Sequence, residues 1–159
     1  MSVEKRLGEL GLVLPPAPAP VGAYVPAVRS GRLVWTAGQV PLKDGRLTAV
    51  GKVPTEVSLE SAQAAAAQAV LNALAAVKGA VGSLEAIARV VRVNVFVNSA
   101  AGFSEQHKVA NGASELLVKL FGDAGRHSRC AVGAAELPLN VAVELDLVVE
   151  LAASLGDLG

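Results

Sequence analysis

The segment NVAVELDLVVEL, residues 140–151, constrains the fold more than any other stretch, because its residue character switches at nearly every step. Strand geometry sends successive side chains to opposite faces of a sheet. Val141, Val143, Leu145, Leu147, Val149 and Leu151 therefore share one face, which needs a covering layer. Ala142, Glu144, Asp146, Val148 and Glu150 share the other, so three carboxylates lie on a face that is otherwise small and apolar. Two readings stand open. The first is a solvated sheet face, common in antiparallel sheets. The second is a face turned toward another subunit, where one carboxylate sits in a pocket and burial shifts its pKa to suit proton transfer.

The covering layer is legible upstream. SLESAQAAAAQAVLNALAAVKGAVG, residues 58–82, predicts a long helix with Ser58 as N-cap, Glu60 in the first turn, Lys78 in the last and Gly79 as its stop. Its apolar surface is mostly alanine, which lets it approach a sheet closely. FSEQHKVANGASELLVKLFG predicts a second helix ending near Gly122. Asn111-Gly112 inside it marks either close packing or a break, since a mid-helix glycine costs roughly 1 kcal/mol relative to alanine. Between the helices, RVVRVNVFVN alternates with Val91, Val93, Val95 and Val97 on one face and Arg92, Asn94, Phe96 and Asn98 on the other.

AYVPAVRSGRLVWTAGQV predicts a hairpin at Ser30-Gly31, and LKDGRLTAV a second at Asp44-Gly45. RCAVGAAEL is expected to be the hairpin partner of the last strand, joined to it through Pro138 and Leu139. Strands and two helices in this order imply an α+β domain, a mixed sheet with both helices on one face. EKRLGELGLVL is amphipathic and PPAPAP runs extended, so residues 1–20 read as a helical arm with a proline-rich linker. Residues 21–153 form the single domain and 154–159 a tail.

Lys plus Arg and Asp plus Glu both number 14, which argues against binding nucleic acid through bulk charge. Aromatics at 3% leave no stacking platform for single strands. The lone cysteine forms no internal disulfide, and the charged N-terminal segment lacks a signal-like apolar run, so the cytoplasm is the expected compartment. No apolar stretch reaches membrane-spanning length without a charge or Gly/Pro, so no membrane partner is expected. His and Cys show no metal-ligand spacing and no phosphate-binding glycine loop is present, so neither metal nor cofactor is expected. With 52% apolar and 18% charged residues, the chain is expected to bury apolar surface between copies of itself.

GRHSRCAVGAAELP, residues 125–138, concentrates the remaining chemistry. At the head of its strand Arg129 offers a planar, two-pronged donor for a carboxylate or phosphate, with a structural role equally open. As a hairpin partner it would lie near the carboxylate strand. His127 and Cys130, three apart on an extended segment, face opposite ways and make no nucleophilic dyad.

The succession GAYVPAVRSGRLVWTAGQVP, VVRVNVFV, GF, RCAVGAAELP and VAVELDL resembles the RidA/YjgF family from Gly22 to Leu151. KVANGASELLVKLFGDAGRHSR resembles more particularly its branch labelled YjgF/chorismate-mutase-like endoribonuclease. The resemblance implies a chorismate-mutase-like fold, a homotrimer whose sheets form a central barrel, and clefts for a small carboxylate or imine ligand between subunits. It implies cofactor-independent hydrolysis of 2-aminoacrylate-type enamines or imines to 2-keto acids and ammonia. Arg129 would grip the substrate carboxylate and Glu144 hold the attacking water. Tyr24, Ala37, Gly38, Cys130 and Ala131 would line the ligand cleft. Two departures stand out: Ala37 replaces the family's serine, with Thr36 as an imperfect neighbour, and the cysteine is shifted by one place. Cys130 is therefore expected in core packing and Ala131 toward the ligand. Rival readings are a non-catalytic carboxylate sensor and an endoribonuclease or translation-inhibitor-like protein, the latter requiring Arg92, Arg126, His127 and Arg129 to form a basic patch.

Overall fold

A computed structural model of the chain describes residues 2–19 and 22–153. The expected tail, 154–159, lies outside the described residues. The elements are α1 (Val3–Glu9), β1 (Ala27–Ser30), β2 (Leu33–Thr36), β3 (Leu42–Lys43), β4 (Arg46–Leu47), α2 (Leu59–Val81), β5 (Ile87–Asn98), α3 (Gln106–Phe121), β6 (Ser128–Ala134) and β7 (Val143–Leu151).

Five strands form one sheet in the order β1-β2-β7-β5-β6, with β5 and β6 parallel and every other pair antiparallel. The mixed α+β fold follows from the two strand patterns. Val143, Leu145, Leu147 and Val149 of β7 and Val93, Val95 and Val97 of β5 are fully buried under α2 and α3. Alanines 62, 65, 66, 69 and 73 give α2 a flat buried side, so it approaches the sheet without large side chains intervening. By length and composition α2 would suffice to cross a membrane, yet most of its apolar window is buried within the fold.

The hairpin turns follow their glycines. The β1–β2 turn puts Gly31 at φ 59 in its first central position, and Asp44 and Gly45 both take positive φ between β3 and β4. These are the mirror-image turns that match strand twist.

Three expectations are corrected and one open alternative is decided. β6 is not the hairpin partner of β7: the chain crosses over through α3 to lay β6 parallel to β5, which separates β6 from β7 and leaves β6 at the sheet edge. Parallel neighbours need such a crossover. The long helix runs through Gly79 and stops at Gly82, whose φ of 90 suits only glycine; Gly79 is where Ala17 of the N-terminal arm crosses the helix. Register shifts between β5 and β7 move Val91 off the buried face, which Val90 occupies instead. The Asn111-Gly112 pair is no break, because α3 is continuous.

Gly112 is where the two helices touch. A Cβ there would stand 2.8 Å from Gln63 Cα and closer still to the Gln63 carbonyl. Backbone cannot swing aside as a side chain can. Gly112→Ala is expected to cost about 3 kcal/mol or more and to lower Tm by roughly 6–12 °C, read by thermal denaturation.

The N-terminal arm docks across the helical layer. Val3 and Leu7 are buried, Glu85 Oε1 accepts from the Val3 amide at 2.7 Å, and Arg6 Nη1 donates to Leu120 O at 2.7 Å. That carbonyl belongs to the last turn of α3, which has no intrahelical donor and where cations are favoured.

Candidate functional site

Glu144 enters from the second residue of β7, on the face away from the helices. Its carboxyl rests on Gly38: a Cβ at Gly38 would lie 3.1 Å from Glu144 Cδ and closer to Oε1. Only glycine leaves that space. The strand extension holding Gly38 is stitched to β7 by Gln39 N to Leu145 O at 2.7 Å and Leu145 N to Gln39 O at 3.0 Å. Ala37 N donates to Pro26 O at 2.8 Å, which draws the segment carrying Tyr24 alongside, its ring half exposed. Ala37, Gly38 and Glu144 thus lie together at one end of the sheet, with Tyr24 on the adjoining segment. Thr36 does not stand in for the missing serine at Ala37. Its Oγ1 is buried, accepting from Leu147 N at 3.0 Å.

Burial raises the Glu144 pKa above the ordinary carboxylate value, and the like charge of Asp146, two residues along the same face, adds to it. Phe96 lies directly across from Glu144 and helps strip it of water. The two acids differ in their partners. Asp146 accepts from Asn94 Nδ2 at 2.8 Å, and Asn94 Oδ1 accepts from Arg92 Nε at 3.0 Å. Among the described residues the Glu144 carboxylate has no hydrogen-bond or ion-pair partner.

Arg129 belongs to a second cluster. The alternation of β6 sends its side chain to the helix side at the sheet edge, where Nη1 donates to Asn111 Oδ1 at 2.9 Å and to Ser114 Oγ at 3.1 Å. Nη2 donates to His107 O at 3.2 Å. Ser114 Oγ also lies 2.9 Å from His127 Nε2, and His127 Nδ1 lies 2.6 Å from Gly125 O. Burial is the largest effect on the His127 pKa and lowers it, the Gly125 carbonyl opposes it, and the Arg129 charge, smaller than either, lowers it further. Burial and the Arg129 charge both favour the neutral imidazole.

Within one chain Arg129 and Glu144 do not meet. Arg129 is in register with Val93 and hence Leu147, while Glu144 is in register with Phe96, three residues away and two strands over. Strand spacing and rise put their Cα atoms about 14 Å apart, with side chains on opposite faces.

Cys130 departs from the core packing expected of it, while Ala131 shares the Arg129 side of the strand. Cys130 is exposed on the Glu144 face, and Ala131 is half-buried against the core. The cause is the same alternation that sends Arg129 toward α3. The expected basic patch also fails to assemble. Arg126 and His127 line a cleft of about 560 Å³ with Arg89 and Glu150, but Arg92 turns to Asn94 and Arg129 to α3.

The sequence marks Asn94 only as a strand-face residue and Asn111 only as half of an Asn-Gly pair, and it gives no role to Ser114. Asn111 and Ser114, three apart beside the buried Ala110 and Ala113, put polar groups next to the buried stripe of α3, and that spacing was the available signal.

A family model described as "YjgF/chorismate_mutase-like, putative endoribonuclease" matches residues 4–151. The chain is 44% identical over 150 residues to Protein TCP17 of Trypanosoma cruzi, covering 94% of each. It is 30% identical to a 2-iminobutanoate/2-iminopropanoate deaminase of Dermatophagoides farinae over 85% of this chain and 91% of the relative. A crystal structure of a "putative endoribonuclease" from Shewanella oneidensis superposes with a TM-score of 0.92 at 36% identity, covering 95% of this chain and 100% of that one.

Proposed function

The chain belongs to the RidA/YjgF family, and from that premise we propose that it is a cofactor-independent deaminase hydrolysing 2-aminoacrylate-type enamines and imines to 2-keto acids and ammonia. The observation that carries the reading is the state of Arg129. Its three hydrogen bonds occupy three of five N–H donors, and Nε has no acceptor among the described residues. Two free donors at an unpaired sheet edge are what a carboxylate takes in a bidentate pair.

Opposite it, across the boundary with a second copy, stands Glu144. Arg129 fixes the substrate carboxylate. Glu144 accepts a proton from water as the water oxygen bonds to the imine carbon, and that proton passes on to nitrogen. The carbinolamine hydroxyl proton then passes through Glu144 to the nitrogen, and as the carbonyl forms the carbon–nitrogen bond breaks and ammonia leaves. A base whose pKa is raised toward neutrality suits this exchange. Val28, Trp35 and Val132, between 42% and 53% exposed on the Glu144 face, support a homotrimer with that face inward.

The test is keto-acid release from 2-iminobutanoate and 2-aminoacrylate generated in place by a threonine/serine dehydratase. Acceleration beyond spontaneous hydrolysis is expected. The absence of a pocket hydroxyl at Ala37, with Thr36 already engaged, favours one second reading, a carboxylate-binding protein without turnover. Thermal stabilisation by 2-oxobutanoate with no acceleration would establish that reading and end the first.

A further inference from the structure

With His127 neutral, the hydrogen bonds behind Arg129 fall into one proton order. A guanidinium has donors and no acceptor, so Ser114 Oγ accepts from Arg129. The Ser114 proton then points to His127 Nε2, 2.9 Å away, which must be bare. The other imidazole nitrogen, Nδ1, carries the ring proton and donates it to Gly125 O, 2.6 Å away. The order Arg129, Ser114, His127, Gly125 O runs in one direction, and Asn111 braces Nη1 from the side.

Protonating His127 breaks this order. Nε2 becomes a donor facing Ser114 Oγ, the serine proton must leave, and a second cation arises one hydroxyl away from the guanidinium. Other charged groups around His127 are Arg89, Arg126 and Glu150 of the cleft it lines, with Asp123 on the exposed preceding turn. None of them lies between His127 and Arg129.

We propose that Asn111, Ser114 and neutral His127 form a proton-ordered cradle that aims the free edge of Arg129, so that carboxylate binding is gated by the ionisation of His127. This rests on Arg129 as the carboxylate anchor. The three are positioning residues, each acting through the guanidinium and not on the substrate.

The probe is 2-oxobutanoate, ionised throughout the range, with its Kd measured by calorimetry from about pH 8 to about pH 5. Glu144→Gln serves as the background, removing the other acid-range titration in the cleft. Binding should weaken about tenfold across that range, the size of a mis-set hydrogen bond to a charged group. In Glu144→Gln/His127→Gln the amide can still accept from Ser114 but cannot titrate, and the pH dependence should flatten whatever the affinity near pH 8. Ser114→Ala should weaken binding near pH 8 by a similar factor with the fold intact by circular dichroism. An acid limb that survives in the His127→Gln background overturns the gate. Unchanged Kd in Arg129→Ala is a different failure, removing the anchor and the proposed reaction with it.

Discussion

Arg129→Ala is expected to lower kcat/KM for 2-iminobutanoate about a thousandfold. Two charge-assisted hydrogen bonds to a carboxylate are each worth about 1.5–3 kcal/mol, and losing roughly 4 kcal/mol of them gives that factor. Since the free imine hydrolyses unaided, the assay would read no acceleration over background. The fold should survive, because the groups left behind, Asn111, Ser114 and the His107 carbonyl, are partly exposed and can turn to water. A Tm loss of a few degrees, with the oligomer unchanged by light scattering, is the expected control. Arg129→Lys should recover little. A lysine ammonium has three donors and no planar fork, so it cannot satisfy Asn111, Ser114 and His107 O while also presenting two donors to a substrate. Retained turnover in Arg129→Ala would overturn the anchor.

That anchor was legible in the sequence only as a residue type. The alternation of β7 separated its charged from its apolar side: Val143, Leu145, Leu147 and Val149 are buried and Glu144, Asp146 and Glu150 are not, although Ala142 and Val148 on the carboxylate side are buried as well. Period-two geometry is local, so it can be read from one strand. The partner of a strand is not local. RCAVGAAEL followed by a short turn and another strand invites a hairpin, yet β5 lies between the two. The choice depends on α3 carrying the chain back across the sheet, a long-range packing outcome that no dipeptide encodes. The same limit hid Asn111 and Ser114. They become a cradle only when β6 is placed parallel to β5 beneath α3. Val91 failed for a smaller reason: an irregularity in β5 shifts the alternation by one, and the run RVVRV allows Val90 or Val91 to face inward equally well. Resemblance to a family supplied the residue roles, and geometry added that Arg129 and Glu144 lie on opposite faces of the sheet, which no single strand pattern could have shown.

Glu144→Gln should move activity and stability in opposite directions. As the proton acceptor for water, Glu144 accounts for about 10²–10⁴ in kcat, and glutamine has no basic oxygen to replace it. Wild-type kcat should fall as pH drops through the raised Glu144 pKa, because the working form is the carboxylate; the variant should show no such limb. Stability has the other sign. A carboxyl whose folded pKa lies above its unfolded value contributes stability that is fully present below the unfolded pKa and lost as pH rises through the folded pKa. At neutral pH the folded protein therefore holds a charge that its surroundings, Phe96 and Asp146, disfavour. Glutamine removes that charge, so the variant's Tm should exceed the wild type's at neutral pH, and the gap should close as both are taken into acid. A surface glutamate predicts neither effect, and a carboxylate paired for structure predicts a Tm loss. Only a group kept against the stability of its own fold predicts a slower and more stable protein, which is the mark of a residue retained for chemistry.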